Sequence, residues 1–230
     1  MKEALNEIHR QIEECGREGK TRLMAVSKTH PWEAVMEAYD LGQRLFGENR
    51  VQEVLMKFPP KGARPEGMEL HLIGHLQSNK VKKAVSYVDA IDSVDSMKVA
   101  RLINSSAADF GIIMPVLLEY NTSGEKNKSG FGSYAEILEL CQHAGDFPHI
   151  RIDGLMTIGP LGDDHAKTKQ AFEHLVEIQS RLASDVPSLN LHELSMGMSG
   201  DYLLALQCGS TLIRVGTKIF GKRDYGNKDA

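Results

Sequence analysis

The sequence is poor in cysteine. Cys15, Cys141 and Cys208 are its three, far apart and with no CxxC spacing. That excludes a disulfide framework or a redox pair and reads as idle or buried thiols in a reducing cytoplasm. No apolar run approaches the roughly 18 residues that a membrane span needs. The opening MKEALNEIHRQIEECGREGK is too polar for the apolar core of a signal peptide. A charge excess is missing too: 27 Lys and Arg face 31 Asp and Glu, a net charge of −4. This excludes a nucleic-acid binder held by a broad basic surface, although a small basic pocket stays open. Metal-binding spacing is absent. His71 and His75 stand four apart, but His71 reads as strand, where that spacing makes no chelating face, and His192-Glu193 has no second histidine nearby. Gly197-Met198-Ser199-Gly200 lacks the GxSxG spacing of a hydrolase elbow. No metal site and no serine hydrolase are expected.

What is present is an alternation. A helix opens the chain, with Leu5, Ile8, Ile12 and Cys15 at helical spacing. Short strand-like runs follow at 23–27, 44–47, 71–74, 88–94, 115–121, 150–158, 191–196 and 211–216. Helical patterns fill most intervals, at 32–41, 49–57, 78–86, 95–107, 133–144, 164–183 and 199–207. Alternating β and α elements imply parallel strands with helical crossovers. Several strands are apolar throughout, as burial on both faces requires. Eight such units predict one closed (β/α)8 TIM-type barrel with an added N-terminal helix. An open doubly wound sheet is the alternative, but it would carry a glycine fingerprint after its first strand, where this chain reads SKTHP. The expected organisation is a single domain over 1–230, with a helix in 1–20 packed on the barrel and a solvated tail at 221–230.

Function in such a barrel belongs to the C-terminal ends of the strands. Those ends carry Ser27-Lys28-Thr29-His30, Gly47-Glu48-Asn49, Gly74 to Lys80, Asn121 with Lys126 and Lys128 beyond it, Met156 to Gly159, Ser195 to Asp201, and Arg214 to Thr217. The loops after the last two strands are the usual phosphate-binding place, and here they read MGMSGD and RVGT. Glycines admit an anion to backbone N–H groups, and Ser199 is expected to open the next helix. The competing reading makes Ser199 a plain N-cap and the glycines plain turn formers. Lys28 follows a strand of small and apolar residues. It is either a solvated lysine or, near other cations in a desolvated mouth, an amine able to form a Schiff base with a carbonyl. A phosphate and an aldehyde on one small molecule describe pyridoxal 5′-phosphate, with Arg214 available for its pyridine nitrogen.

The runs AVSKTHP, FGENRVQE, HLIGHLQSNK, SGEKNKSGF, GLMTIGP, LSMGMSGDY and RVGTKIFGKRDY, in that order, resemble the pyridoxal phosphate homeostasis proteins, also described as the proline synthetase co-transcribed bacterial homologue family. The resemblance covers essentially the whole chain. It implies a barrel similar to the N-terminal domain of alanine racemase and pyridoxal phosphate held as an aldimine on Lys28. It implies a phosphate cup that includes Ser199, Gly216 and Thr217, with Arg214 near the pyridine nitrogen, Asn49 near the ring, and Lys128 as a secondary contact. One departure is His30, where relatives commonly carry lysine; a second lysine role is lost there and Lys28 is untouched.

The expectation is a cytoplasmic, monomeric binder that holds pyridoxal phosphate without catalytic turnover. It would serve vitamin B6 homeostasis, and through it amino-acid and keto-acid balance, with apo forms of pyridoxal phosphate enzymes as candidate recipients. Racemisation needs an acid and a base on opposite faces. In the racemases the second group is a tyrosine of a partner chain's second domain, and this chain ends soon after the last barrel motif. An arginine at the pyridine nitrogen also weakens the ring as an electron sink. The alternative is a small racemase or lyase using His75, Tyr202 or Cys208 as acid. His75 reads better as a cap for the helix at 78, and the other two as helix packing. Met156, Met196 and Met198 read as core filler, one of them able to pack on the ring. The final KRDYGNKD reads as a solvated tail, with Lys222 and Arg223 in reach of the cup.

Overall fold

The computed structural model describes residues 1–125, 128–160, 162 and 164–221. The chain starts with helix α1 (Lys2–Glu14) and then alternates: β1 (Arg22–Val26), α2 (Trp32–Asp40), β2 (Leu45–Glu48), α3 (Val51–Lys57), β3 (Glu69–Leu72), α4 (Val81–Tyr87), β4 (Ala90–Val94), α5 (Met97–Asp109), β5 (Met114–Glu119), α6 (Tyr134–Gln142), β6 (Ile150–Met156), α7 (His165–Asp185), β7 (Glu193–Ser195), α8 (Tyr202–Gln207), β8 (Leu212–Val215) and α9 (Thr217–Phe220). Each strand pairs in parallel with the next, and β8 returns to β1 through Met24↔Arg214 and Ala25↔Val215, closing the barrel. This is the expected (β/α)8 architecture with the extra helix in front. No helix among the described residues is long and apolar enough to cross a membrane.

The eight expected strands are all present, shifted by one or two residues at most of their ends. The helices differ in three places. The pattern at 78–86 divides into a 3₁₀ turn at Ser78–Lys80 and then α4. The helix expected from 199 starts only at Tyr202, because Met198 to Asp201 form a turn closed by Tyr202 N–H on Met198 O at 2.9 Å. The short α9 carries no strong periodic signal and was not expected.

Strand alternation divides the side chains between two cores. Met24, Val26, Leu45, Leu117, Met156 and Leu212 form a small cluster with Ile73 inside the barrel. Leu23, Ala25, Phe46, Ile91, Leu118 and Ile213 join the larger cluster shared with the helices. Close approaches demand glycine at some ladder positions. A Cβ on Gly154 would stand 2.0 Å from Glu193 O on β7. Helix α1 buries Leu5, Ile8 and Ile12. The turn after it is tied to the barrel by Arg17, whose Nη2 donates to Gly209 O and Ser210 O at 2.8 and 2.9 Å.

The N-terminal end of the barrel is ionic and paired. Arg22 meets Glu69 at 3.1 Å, and His71 Nδ1 lies 3.0 Å from Asp92 Oδ1. Burial alone would lower the His71 pKa from 6.5. The Asp92 charge and hydrogen bonds with Asp92 and Glu69 outweigh that, and the pKa is raised to about 9. The fold therefore keeps a proton that the unfolded chain releases near 6.5. Its stabilisation is complete below about pH 6.5 and is lost as pH rises through about 9. Urea midpoints measured across this window should fall with rising pH in the parent protein, and fall less in His71→Gln.

Candidate functional site

A cavity of about 220 Å³ opens at the C-terminal ends of the strands. Its polar wall is Lys28, His30, Asn49, Ser199, Arg214 and Thr217, with the backbone of Gly200 and Gly216; its apolar wall is Val26, Ile73, Ile158 and Met198. Strand geometry explains the set. Met24 and Val26 face inward on β1, and Lys28 continues their alternation past the strand end. Arg214 shares the inward face of β8 with Leu212. Lys28, Asn49, Ser199, Arg214, Gly216 and Thr217, scattered over 190 residues of sequence, thus line one cavity.

Arg214 is 4% exposed and held by neutral partners. Its Nη1 donates to Ser195 Oγ at 2.6 Å and its Nη2 to Thr157 O at 2.8 Å. Burial pushes its pKa down from the ordinary guanidinium value, while the more distant charges of Asp92, Asp201 and Glu119 favour the cation. The hydroxyl of Ser199 accepts the Gly216 N–H at 3.2 Å, joining the loops after β7 and β8 into one rim. Gly216 has no room for a side chain, since a Cβ would stand 2.9 Å from Val26 O. His30 stacks on Phe220 with ring centroids 5.1 Å apart, fastening the β1–α2 turn to α9. Asn49 Oδ1 is buried without a hydrogen-bond partner among the described residues.

Several expectations change here. Ser199 does not cap the following helix; Asp201 stands at that N-cap, and the Ser199 hydroxyl is engaged by Gly216 instead. His75 caps nothing: its Nδ1 pairs with Asp95 at 2.8 Å on the surface. Neither it, Tyr202 nor Cys208 lines the cavity. The Tyr202 hydroxyl is bound to Gln11 and accepts from Lys218 at 2.7 Å. Burial raises the pKa of Cys208. Lys128 also lies off the cavity wall, its ammonium on Gly159 O at 2.9 Å and Glu125 at 2.8 Å. Met156 and Met196 are buried core, whereas Met198 lines the cavity. Lys126, Lys222 and Arg223 fall outside the described residues.

Sequence reasoning passed over Glu53 and Lys57 and noted Glu48 only as a strand end. A signal existed: a glutamate closing the otherwise apolar run LFGE, with Glu53 and Lys57 at i, i+4 on the next helix.

The chain matches the family model "Alanine racemase, N-terminal domain" over residues 2–224. A curated relative from Schizosaccharomyces pombe, named pyridoxal phosphate homeostasis protein, is 42% identical over 95% of this chain and 91% of its own. The structure of PipY from Synechococcus elongatus without PLP is similar with a TM-score of 0.87 at 38% identity, and that with PLP bound with 0.84 at 37%. Each covers 96% of this chain and 99% of PipY. Alanine racemase from Streptomyces coelicolor shares the fold, with a TM-score of 0.70 at 17% identity over 95% of this chain and 58% of that one.

The tight seat of Gly216 yields a stability test. Gly216→Ala should force the ends of β1 and β8 apart and cost about 1–3 kcal/mol, read as a lower urea midpoint.

Proposed function

The chain belongs to the pyridoxal phosphate homeostasis protein family, and we propose that it binds pyridoxal 5′-phosphate reversibly, with Lys28 as the covalent anchor, and serves to hold and release it. The observation that carries this reading is the meeting of Lys28, Arg214 and the Ser199–Gly216–Thr217 rim around one cavity. The volume of about 220 Å³ falls below the roughly 300–1,000 Å³ of drug-sized pockets and suits one small substituted ring. When bound, the cofactor supplies an aldehyde that a primary amine can capture.

The protein residues divide the work. Lys28 offers the amine. Ser199, Gly216 and Thr217 offer a hydroxyl-lined rim with close backbone approach for a phosphate. Arg214 would supply a cation for the ring nitrogen, a partner that disfavours protonation there and so would limit carbanion chemistry. Asn49 brings an uncommitted buried oxygen to the wall. Val26, Ile73 and Ile158 give the cavity an apolar wall that would exclude water from a bound ring.

A holding role is favoured over a racemase or lyase because His75, Tyr202 and Cys208 stand away from the cavity. We take the protein to act as a cytoplasmic monomer of one domain over 1–230. Its binding of the cofactor would sustain vitamin B6 homeostasis and amino-acid and keto-acid balance, and apo pyridoxal phosphate enzymes would receive the cofactor.

The purified protein mixed with pyridoxal phosphate should turn yellow, and borohydride should fix the cofactor on Lys28 in a peptide map. Lys28→Ala should lose both signals. Turnover of a free amino acid at ordinary enzyme rates, about 1–10³ s⁻¹, or α-proton exchange with deuterium at such rates, would replace the holding role with an enzyme.

A further inference from the structure

The turn that carries Lys28 is strained and caged. Thr29, the next residue, has φ of +68° and is the one non-glycine residue with positive φ among those described. A β-branched residue resists that left-handed conformation and keeps it only where its surroundings impose it. Here they do. The Thr29 N–H donates to Glu53 Oε1 on α3. The Lys57 ammonium, on the same helix, donates to Ser27 O at 2.8 Å and His30 O at 3.0 Å. That ammonium also lies 3.1 Å from Glu53 Oε1 and 2.6 Å from Glu48 Oε1. Glu48 in turn accepts the Ser27 hydroxyl at 2.6 Å. Three of the four turn residues, Ser27, Thr29 and His30, are therefore gripped from the helix side, while Lys28 faces the cavity.

The cage is expensive as a source of stability. The side chains of Glu48 and Lys57 are 0% and 6% exposed. Taking two charges out of water offsets much of their attraction, and an apolar pair of the same volume often serves stability as well. None of Glu48, Glu53 and Lys57 lines the cavity. Glu53 and Lys57 bind the backbone on either side of Lys28, and Glu48 binds the Ser27 hydroxyl and the Lys57 ammonium.

We propose that Glu48, Glu53 and Lys57 are positioning residues that hold the 27–30 turn in its left-handed form and so keep the Lys28 amine in the cavity. Glu53 and Lys57 act through the backbone and Glu48 through the Ser27 hydroxyl and Lys57, and none of the three lines the cavity. The inference builds on the cofactor reading, and its test separates the two. Glu53 is the residue to change, because its side chain is 22% exposed, so its loss leaves the core filled.

Pyridoxal phosphate affinity is measured by visible titration for the parent protein, Glu53→Ala and Glu53→Gln, and for Glu53→Ala combined with Thr29→Gly. Amide exchange at Thr29 and His30 is followed in each protein without cofactor. Glu53→Ala should weaken binding about tenfold or more and speed exchange at these amides by a similar factor. Glu53→Gln keeps an acceptor for the Thr29 N–H and should restore most of the affinity. Glycine adopts positive φ without the steric cost, so adding Thr29→Gly should shrink the Glu53→Ala loss to less than about threefold. A merely structural role would leave the loss equal with and without Thr29→Gly. That result, or unchanged affinity and exchange in Glu53→Ala, overturns the proposal. A parent protein that takes up no pyridoxal phosphate overturns the cofactor reading instead, and the exchange rates then decide whether the cage holds the turn.

Discussion

The return of β8 to β1 is the contact on which the site depends. With Met24 opposite Arg214 and Ala25 opposite Val215, the ends of the first and last strands lie side by side. Lys28 leaves one and Gly216–Thr217 the other, so closure of the barrel sets the distance between an amine and a hydroxyl-bearing rim. Gly216 makes that approach possible, because any side chain would meet the Val26 carbonyl. The rim is then completed from β7, through the hydrogen bond between Ser199 and Gly216.

Charge inside the barrel is arranged by layer. At the N-terminal end acids and bases are directly paired, as in Arg22 with Glu69 and His71 with Asp92. Arg214, higher up, is met among the described residues by a hydroxyl and a carbonyl at hydrogen-bond distance. A buried guanidinium held by neutral groups keeps more of its charge available to the cavity than one paired directly with a carboxylate. The two ends of one barrel thus use buried charge differently. The lower end pairs its charges directly, and the upper end leaves a guanidinium on the cavity wall with no carboxylate among its hydrogen-bond partners.

Outside the barrel wall, α3 braces the first turn. The outward face of β2 supplies Glu48, and the helix that follows supplies Glu53 and Lys57. The stacking of His30 on Phe220 braces the same turn from α9. A lysine that must meet a small molecule in one orientation gains from this, because the ordering cost falls on folding and is not repeated at each binding event.

The barrel was legible in the chain because its signal is local: short apolar runs and amphipathic helices, repeated eight times, leave few topologies open. Lys28, Arg214 and the glycines of the last loops were legible because their positions at strand ends follow from that count. The cage was not. Glu48 reads as the end of a strand and Lys57 carries no signal beyond its i, i+4 spacing from Glu53, and nothing near either in sequence says that they meet around residues 27–30. Ser199 was misjudged for a related reason. A serine just ahead of a short helical pattern reads as a helix opener, yet the turn at 198–201 moves the helix start on and leaves its hydroxyl to a loop 17 residues away. Periodicity and composition, which act between neighbours along the chain, determined the elements and their order. Which buried polar groups satisfy one another was decided only when the barrel closed, because desolvation forces each such group to find a partner among whatever the fold has brought within reach.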